Sequence, residues 1–135
     1  MPHRTEQAVR TALVVMGTIT TLPVLALPAP IVLGWTYGIH DPDGMTLALL
    51  QHRGVLQLLL GAAIVGAAFH RPVRAAVALA AAASKTTFLL LILPDPALRA
   101  GLAPFSTVFD AGCIVLLVAI AAREMRRTRA APAAE

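Results

Sequence analysis

Four residues of this chain carry ionisable groups inside long apolar stretches: His52, Arg53, Lys85 and Asp110. A charge in the middle of a bilayer costs at least about 2.5–3.5 kcal/mol on insertion scales. Such groups are expected to face a protein interior and to pair. Their chemistry falls into two classes. Arginine and lysine can hold an electron-rich group or stabilise developing negative charge. Histidine titrates near neutrality, and a histidine or an aspartate can move a proton. Gln57 lies four residues after Arg53 and so shares its helical face.

These groups must be positioned by membrane spans. The 135-residue chain is 58% hydrophobic and 13% charged, with mean hydropathy +0.77. Soluble domains carry about 25% charged residues, whereas a run of roughly 20 apolar residues crosses a membrane as a helix. The sequence predicts an all-α membrane protein, a four-transmembrane-helix bundle with N-in/C-in topology. Its spans are expected at about 11–33, 45–69, 75–93 and 102–122, after a cytoplasmic N-terminal segment at 1–10 and before a basic tail at 123–135. Pro23 should kink the first span, and Pro28 and Pro30 should end it. A cleavable signal peptide competes for the first span, because a basic start and an apolar core fit that pattern. Asp43 suits the N-cap of the second span, and Pro104 suits the first turn of the fourth. Beyond Arg123 the tail is expected to fray and then lose structure.

Eight of the eleven Lys and Arg residues, at positions 4, 10, 71, 74, 123, 126, 127 and 129, fall on one side of such a bundle. The positive-inside rule then places both termini in the cytoplasm, and the multi-pass protein in a cell inner membrane. The same distribution argues against nucleic acid as a partner, since the arginines sit at chain ends and in one loop rather than on a basic face. Small residues recur at helical spacing, as Ala62 with Gly66, Ala63 with Ala67, and Ala76 with Ala80 and Ser84. They suit close packing within the chain, or a homodimer seam. The tight connection at Pro72 predicts that the second and third spans are neighbours.

Helix rise converts sequence distance into depth. His52 and Arg53 lie roughly 12–14 Å below Gly44, Lys85 about 12 Å from Leu93, and Asp110 about 12 Å from Leu102. Antiparallel spans thus bring them to one level, with Thr20, Thr21 and Leu25 as the first span's share. With one acid for two bases the level carries surplus positive charge. The expected site is an outward-facing pocket of His52, Arg53, Gln57, Lys85 and Asp110, completed by an electron-rich ligand such as a carboxylate, phenolate, quinone or lipid headgroup. The same residues could instead fix helix register, or snorkel to the interface.

Elsewhere the chemistry is sparse. His40, Asp41 and Asp43 read as a solvated turn rather than metal ligands. His52 lacks a second haem ligand, since His70 is about 27 Å along the same helix. The lone Cys113 excludes an intrachain disulfide and reads as a packing residue. Trp35 and Tyr37 suit the membrane interface.

Four short spans, His52-Arg53-Gly54 opening the second, and Ala83-Ser84-Lys85-Thr86-Thr87-Phe88 in the third make the chain resemble DoxX-like small membrane proteins. Its Ala- and Arg-rich composition is similar to that of proteins from high-GC bacteria. The resemblance implies an association with membrane redox complexes and quinone-linked metabolism, and names no catalytic residue or cofactor. Three functions follow as expectations. The first is a small membrane protein binding a hydrophobic or anionic ligand, possible as an accessory subunit with a membrane protein partner. The second is a membrane-embedded enzyme (isomerase, cyclase or oxidoreductase) using His52 and Asp110 for proton transfer. The third is a small transporter acting as a dimer.

Overall fold

A computed structural model describes residues 2–130, all helical or in short connections, with no strand among them. The order is α1 (Pro2–Thr21), a 3-10 segment (Leu22–Ala26), α2 (Val32–Tyr37), α3 (Gly44–Phe69), α4 (Arg71–Ile92), α5 (Pro96–Gly101) and α6 (Pro104–Ala130). Four stretches, His3–Ala26, Gly44–Phe69, Arg71–Ile92 and Pro104–Ala130, are long and apolar enough to cross a membrane. Their outward faces carry exposed Leu49, Leu59, Leu90, Val108 and Val115, a surface suited to lipid. This is a small, multi-pass helical membrane protein. The chain start and the starts of α4 and ends of α3 and α6 meet at one end, joined by Glu6, Arg74 and Glu124. We call this the terminal end and the opposite one the loop end.

The helices differ from the expected spans at both chain termini. α1 begins at Pro2, well before residue 11, and α6 runs on to Ala130, past residue 122. Hydropathy stops at charged residues, but a helix does not when the charges find partners. Glu6 accepts from Arg10 one turn on, at 3.3 Å, and from Arg74 of α4. Glu124 accepts from Arg74, and the Thr128 hydroxyl bonds back to the Glu124 carbonyl at 2.7 Å. The expected loss of structure beyond Ala130 lies outside the described residues. Pro23, which brings no backbone N–H, does change α1: the helix tightens into the 3-10 segment at Leu22 rather than continuing as one kinked span.

The connections at the loop end are also more ordered than turn chemistry alone predicts. α2 covers the last residues of the expected first span and the start of the connection after it, and ends at Gly38, whose φ of 68° is left-handed. α5 forms where a linker was expected, capped by Asp95, which accepts from Ala97 N at 2.8 Å. The Ala103 N–H donates to the Thr36 carbonyl at 3.2 Å, tying the start of α6 to α2. Asp43 caps α3 as expected, accepting from the N–H groups of Met45 and Thr46. The Thr46 hydroxyl and these N–H groups hold its carboxyl below the usual aspartate range. Its contribution is therefore complete above the ordinary aspartate pKa of about 3.9 and lost as pH falls through the lowered native value. Asp43→Asn, still a good cap, is expected to remove this part of the acid sensitivity, read as the difference in Tm between pH 7 and pH 3.

Packing is concentrated in two pairs. α3 lies chiefly on α1 and the 3-10 segment, and α4 on α6; α3 and α4, though joined through His70 alone, touch less. The glycines explain the first pair. A Cβ on Gly61 would stand 2.5 Å from the Gly17 carbonyl oxygen, and one on Gly54 would stand 2.7 Å from that of Pro23. The helices can approach so closely only without side chains there. Gly61→Ala should therefore cost about 1–3 kcal/mol by overpacking against backbone. Gly66→Ala, with nothing within 4 Å, should be neutral or stabilising, because alanine favours helix. Thermal unfolding of both variants in detergent separates the two cases. The stripes picked out by small-residue spacing mostly face outward: Ala62, Ala63, Gly66, Ala76, Ala80 and Ser84 are exposed, and only Ala67 is buried.

Between the pairs lies the core, built from Leu13 and Met16 of α1, Ile64 of α3, Ala78 and Ala81 of α4 and Leu117 of α6, with Cys113 buried among them. Alanines on α4 let α6 come close. At the loop end the same interior is not filled, and a cavity remains.

Candidate functional site

The cavity has a volume of about 390 Å³ and lies at the loop end of the bundle, bounded by the two helix pairs and α2. It falls within the range of about 300–1,000 Å³ typical of small-molecule sites. Thr20, Tyr37, Arg53, Gln57, Lys85 and Asp110 give it polar groups. Leu22, Leu25, Trp35, Phe88, Phe105 and Phe109 give it an apolar lining. The elements deliver these groups for local reasons. The Gln51 amide donates to the Ala26 carbonyl at 3.3 Å, and Gly54 admits the backbone at Pro23. Those flanking residues seat α3 against the 3-10 segment and leave Arg53 turned into the cavity.

The two cations differ in their partners. Lys85, only 4% exposed, donates to Asp110 Oδ1 at 2.5 Å and stands 5.1 Å from the centroid of the Phe109 ring. Arg53 has no carboxylate partner among the described residues. Its Cζ lies 4.1 Å from the Phe88 ring centroid and 5.2 Å from that of Tyr37. Aromatic faces attract a guanidinium through their quadrupoles, but they leave its N–H groups free to donate to an anion. The one acid of the layer goes to Lys85, and the surplus positive charge expected from one acid and two bases rests on Arg53. Burial pushes the Tyr37 phenol up from its ordinary value, so Tyr37 remains a neutral hydrogen-bond donor.

Two acceptors on the cavity wall lack partners. Thr20 Oγ1 and Gln57 Oε1 are buried without a hydrogen bond, and Thr20 is 3% exposed. A buried polar atom left unpaired is costly, and such atoms in a cavity mark places where a ligand can bond.

No protein-family model, curated protein or solved structure matches this chain. The likeness to DoxX-like proteins therefore rests on architecture alone, and the four apolar helices support only the broader class of small helical membrane protein.

Of the residues expected at the site, Arg53, Gln57, Lys85 and Asp110 line the one cavity. His52 does not: it is exposed, on the other side of α3. His52 and Asp110 therefore do not share a site. The aromatic partners of Arg53 were not anticipated. Phe88 lies one turn after Lys85, a spacing that could have suggested it, whereas Tyr37 reaches Arg53 only because α2 folds back over the bundle. His40 packs over Gly34, where a Cβ would stand 2.7 Å from its Nδ1. Among the described residues no three His, Cys, Asp or Glu side chains are grouped to hold a metal ion.

A second buried charge lies at the terminal end. Arg74, counted from sequence as a loop cation, is in α4 and wholly buried. It donates to the carbonyls of Ala67 and Ala68 at 3.0 and 2.9 Å, to Glu6 at 3.0 Å and to Glu124 at 3.3 Å. Arg71 and Arg127 approach the same carboxylates from the exposed side. The sequence offered one signal: Glu6 and Glu124 are the acids among the arginines of the two terminal segments. This network joins α1, α3, α4 and α6, satisfies the arginine, and ties the bundle at the end away from the cavity.

Proposed function

We propose that this protein binds an amphiphilic anion within the membrane, with its carboxylate or phenolate on Arg53 and its apolar body against the apolar side chains beside it. The observation that carries the reading is the state of Arg53, a guanidinium held between two aromatic rings on a cavity wall with no anion of its own. Lys85 and Asp110 neutralise each other, so the cavity keeps about one unit of positive charge. Thr20 and Gln57 supply free acceptors for a hydroxyl of the ligand. The loop end then faces outward and the arginine-rich terminal end the cytoplasm, following the positive-inside rule, in a bacterial inner membrane. A role as the ligand-holding accessory subunit of a membrane redox system, the part the DoxX-like resemblance suggests, belongs to this same proposal.

The test compares dodecanoate with dodecanol, which share a chain and differ in charge, by calorimetric titration of the protein in detergent. The proposal expects the carboxylate to bind at least about tenfold more tightly, the equivalent of one charge-assisted hydrogen bond. Equal affinities would count against it.

A further inference from the structure

A second cavity, of about 330 Å³, lies in the seam between α3 and α4. It shares Arg53, Gln57 and Phe88 with the first. These three side chains are thus a wall with space on both sides. Across this seam α3 and α4 touch less than each touches its main partner, α1 for α3 and α6 for α4. The two spaces differ in character. Thr20, Lys85 and Asp110 face only the central one. The seam is lined by Leu56, Leu60 and Leu91 with Ser84 and Thr87, and its rim is open: Leu56 is 51% exposed and Leu91 70%. On a membrane protein that rim meets lipid chains.

We infer that the ligand is a long-chain carboxylate that reaches Arg53 from the bilayer through the α3–α4 seam, its head at the shared wall and its hydrocarbon chain in the seam. This rests on the reading of the central cavity as an anion site. The chain gains little from leaving lipid, because lipid is as apolar as the groove. Selection therefore comes from the charge at Arg53 and the shape of the seam, and the seam sets the length of chain that fits. Gln57 stands on the same shared wall, and of its amide only the NH2 can donate to a carboxylate head.

The experiment uses the full chain in phosphatidylcholine nanodiscs with palmitate bearing a mid-chain diazirine, followed by peptide mapping. The expected result is labelling of Leu56, Leu60, Ser84, Thr87 or Leu91 that excess palmitate abolishes and that Arg53→Gln lacks. Competable labelling confined to Leu22, Leu25 or Phe105 would overturn the seam while keeping the anion site. The absence of competable labelling at either place would overturn both. Ser84→Trp fills the seam from an exposed position and should not disturb folding. It is expected to weaken palmitate binding about fivefold while leaving hexanoate unchanged, and equal affinities of wild type and variant for palmitate would contradict the inference.

Discussion

Replacing Arg53 by glutamine is expected to lower affinity for a carboxylate amphiphile by about tenfold to a hundredfold and to leave affinity for the corresponding alcohol unchanged. The range follows from the loss of hydrogen bonds to a charged group, worth about 1.5–3 kcal/mol. Glutamine keeps length and polarity, so the change isolates charge. The variant should also fold, with only a modest loss of stability. Arg53 ties down no carboxylate, and what it gives up is contact with Tyr37 and Phe88, worth about 0.5–2 kcal/mol. Lys85 makes the contrast. Lys85→Met would strand the Asp110 carboxylate beside an apolar interior, so it should destabilise the fold and blur any binding measurement. Lys85→Met combined with Asp110→Leu removes both charges and should restore much of the lost stability, as replacing buried ion pairs by apolar residues often does. A double variant that folds and still prefers the carboxylate would assign the anion preference to Arg53 and a structural role to the pair.

Replacing Arg74 by methionine is the change expected to harm the fold most, by about 3–5 kcal/mol. Methionine is close in length and would fill the space. The damage is electrostatic: Glu6 and Glu124 would face each other without the guanidinium between them, and the carbonyls of Ala67 and Ala68 would lose their donor. Arg71→Met is the control. Arg71 contacts the same Glu6, at 3.4 Å, but its side chain is 51% exposed, and an exposed ion pair is worth about 0–1 kcal/mol. Thermal unfolding of both variants in one detergent should show a large fall in Tm for the first and a small one for the second. Similar falls would mean that Arg74 is one arginine of a diffuse basic face. The affinity of Arg71→Met for dodecanoate should match wild type, since the two networks lie at opposite ends of the bundle.

The contrast between these two arginines shows what a linear reading of this chain could reach. Depth was legible because the helix rise is fixed and consecutive spans alternate in direction. Counting residues from the loop end therefore brought Arg53, Gln57, Lys85 and Asp110 to the wall of one cavity. Facing was not legible from depth. His52 and Arg53 are neighbours in sequence and about 100° apart around a helix of 3.6 residues per turn; one turns inward and the other outward. One signal was present: Gln57, four residues on, marks the face of Arg53, whereas Leu49 and Leu56 flank His52 at helical spacing. Arg74 was missed for another reason. The positive-inside rule counts cations by position, and it cannot tell an arginine in water from one enclosed by Glu6 and Glu124, which are brought to it by helices at the two chain ends. The run of α1 before residue 11 and of α6 to Ala130 goes with it, because the partnering that buries Arg74 also lets those helices continue through their charged residues. The small-residue pattern was legible as packing but not as to which positions pack. Gly54 and Gly61, seven residues apart on one face, meet α1 and the 3-10 segment, while the more conspicuous alanine stripes face outward.

The most direct test of the central claim, that Arg53 holds an anionic amphiphile, is native mass spectrometry of the protein extracted gently from the membrane in which it is made. The account predicts an adduct on the wild-type chain that, once released, is detected as an anion with a long apolar chain, and that is absent from Arg53→Gln purified in parallel. An adduct that is neutral, or that persists on the Arg53→Gln protein at the wild-type level, would contradict it.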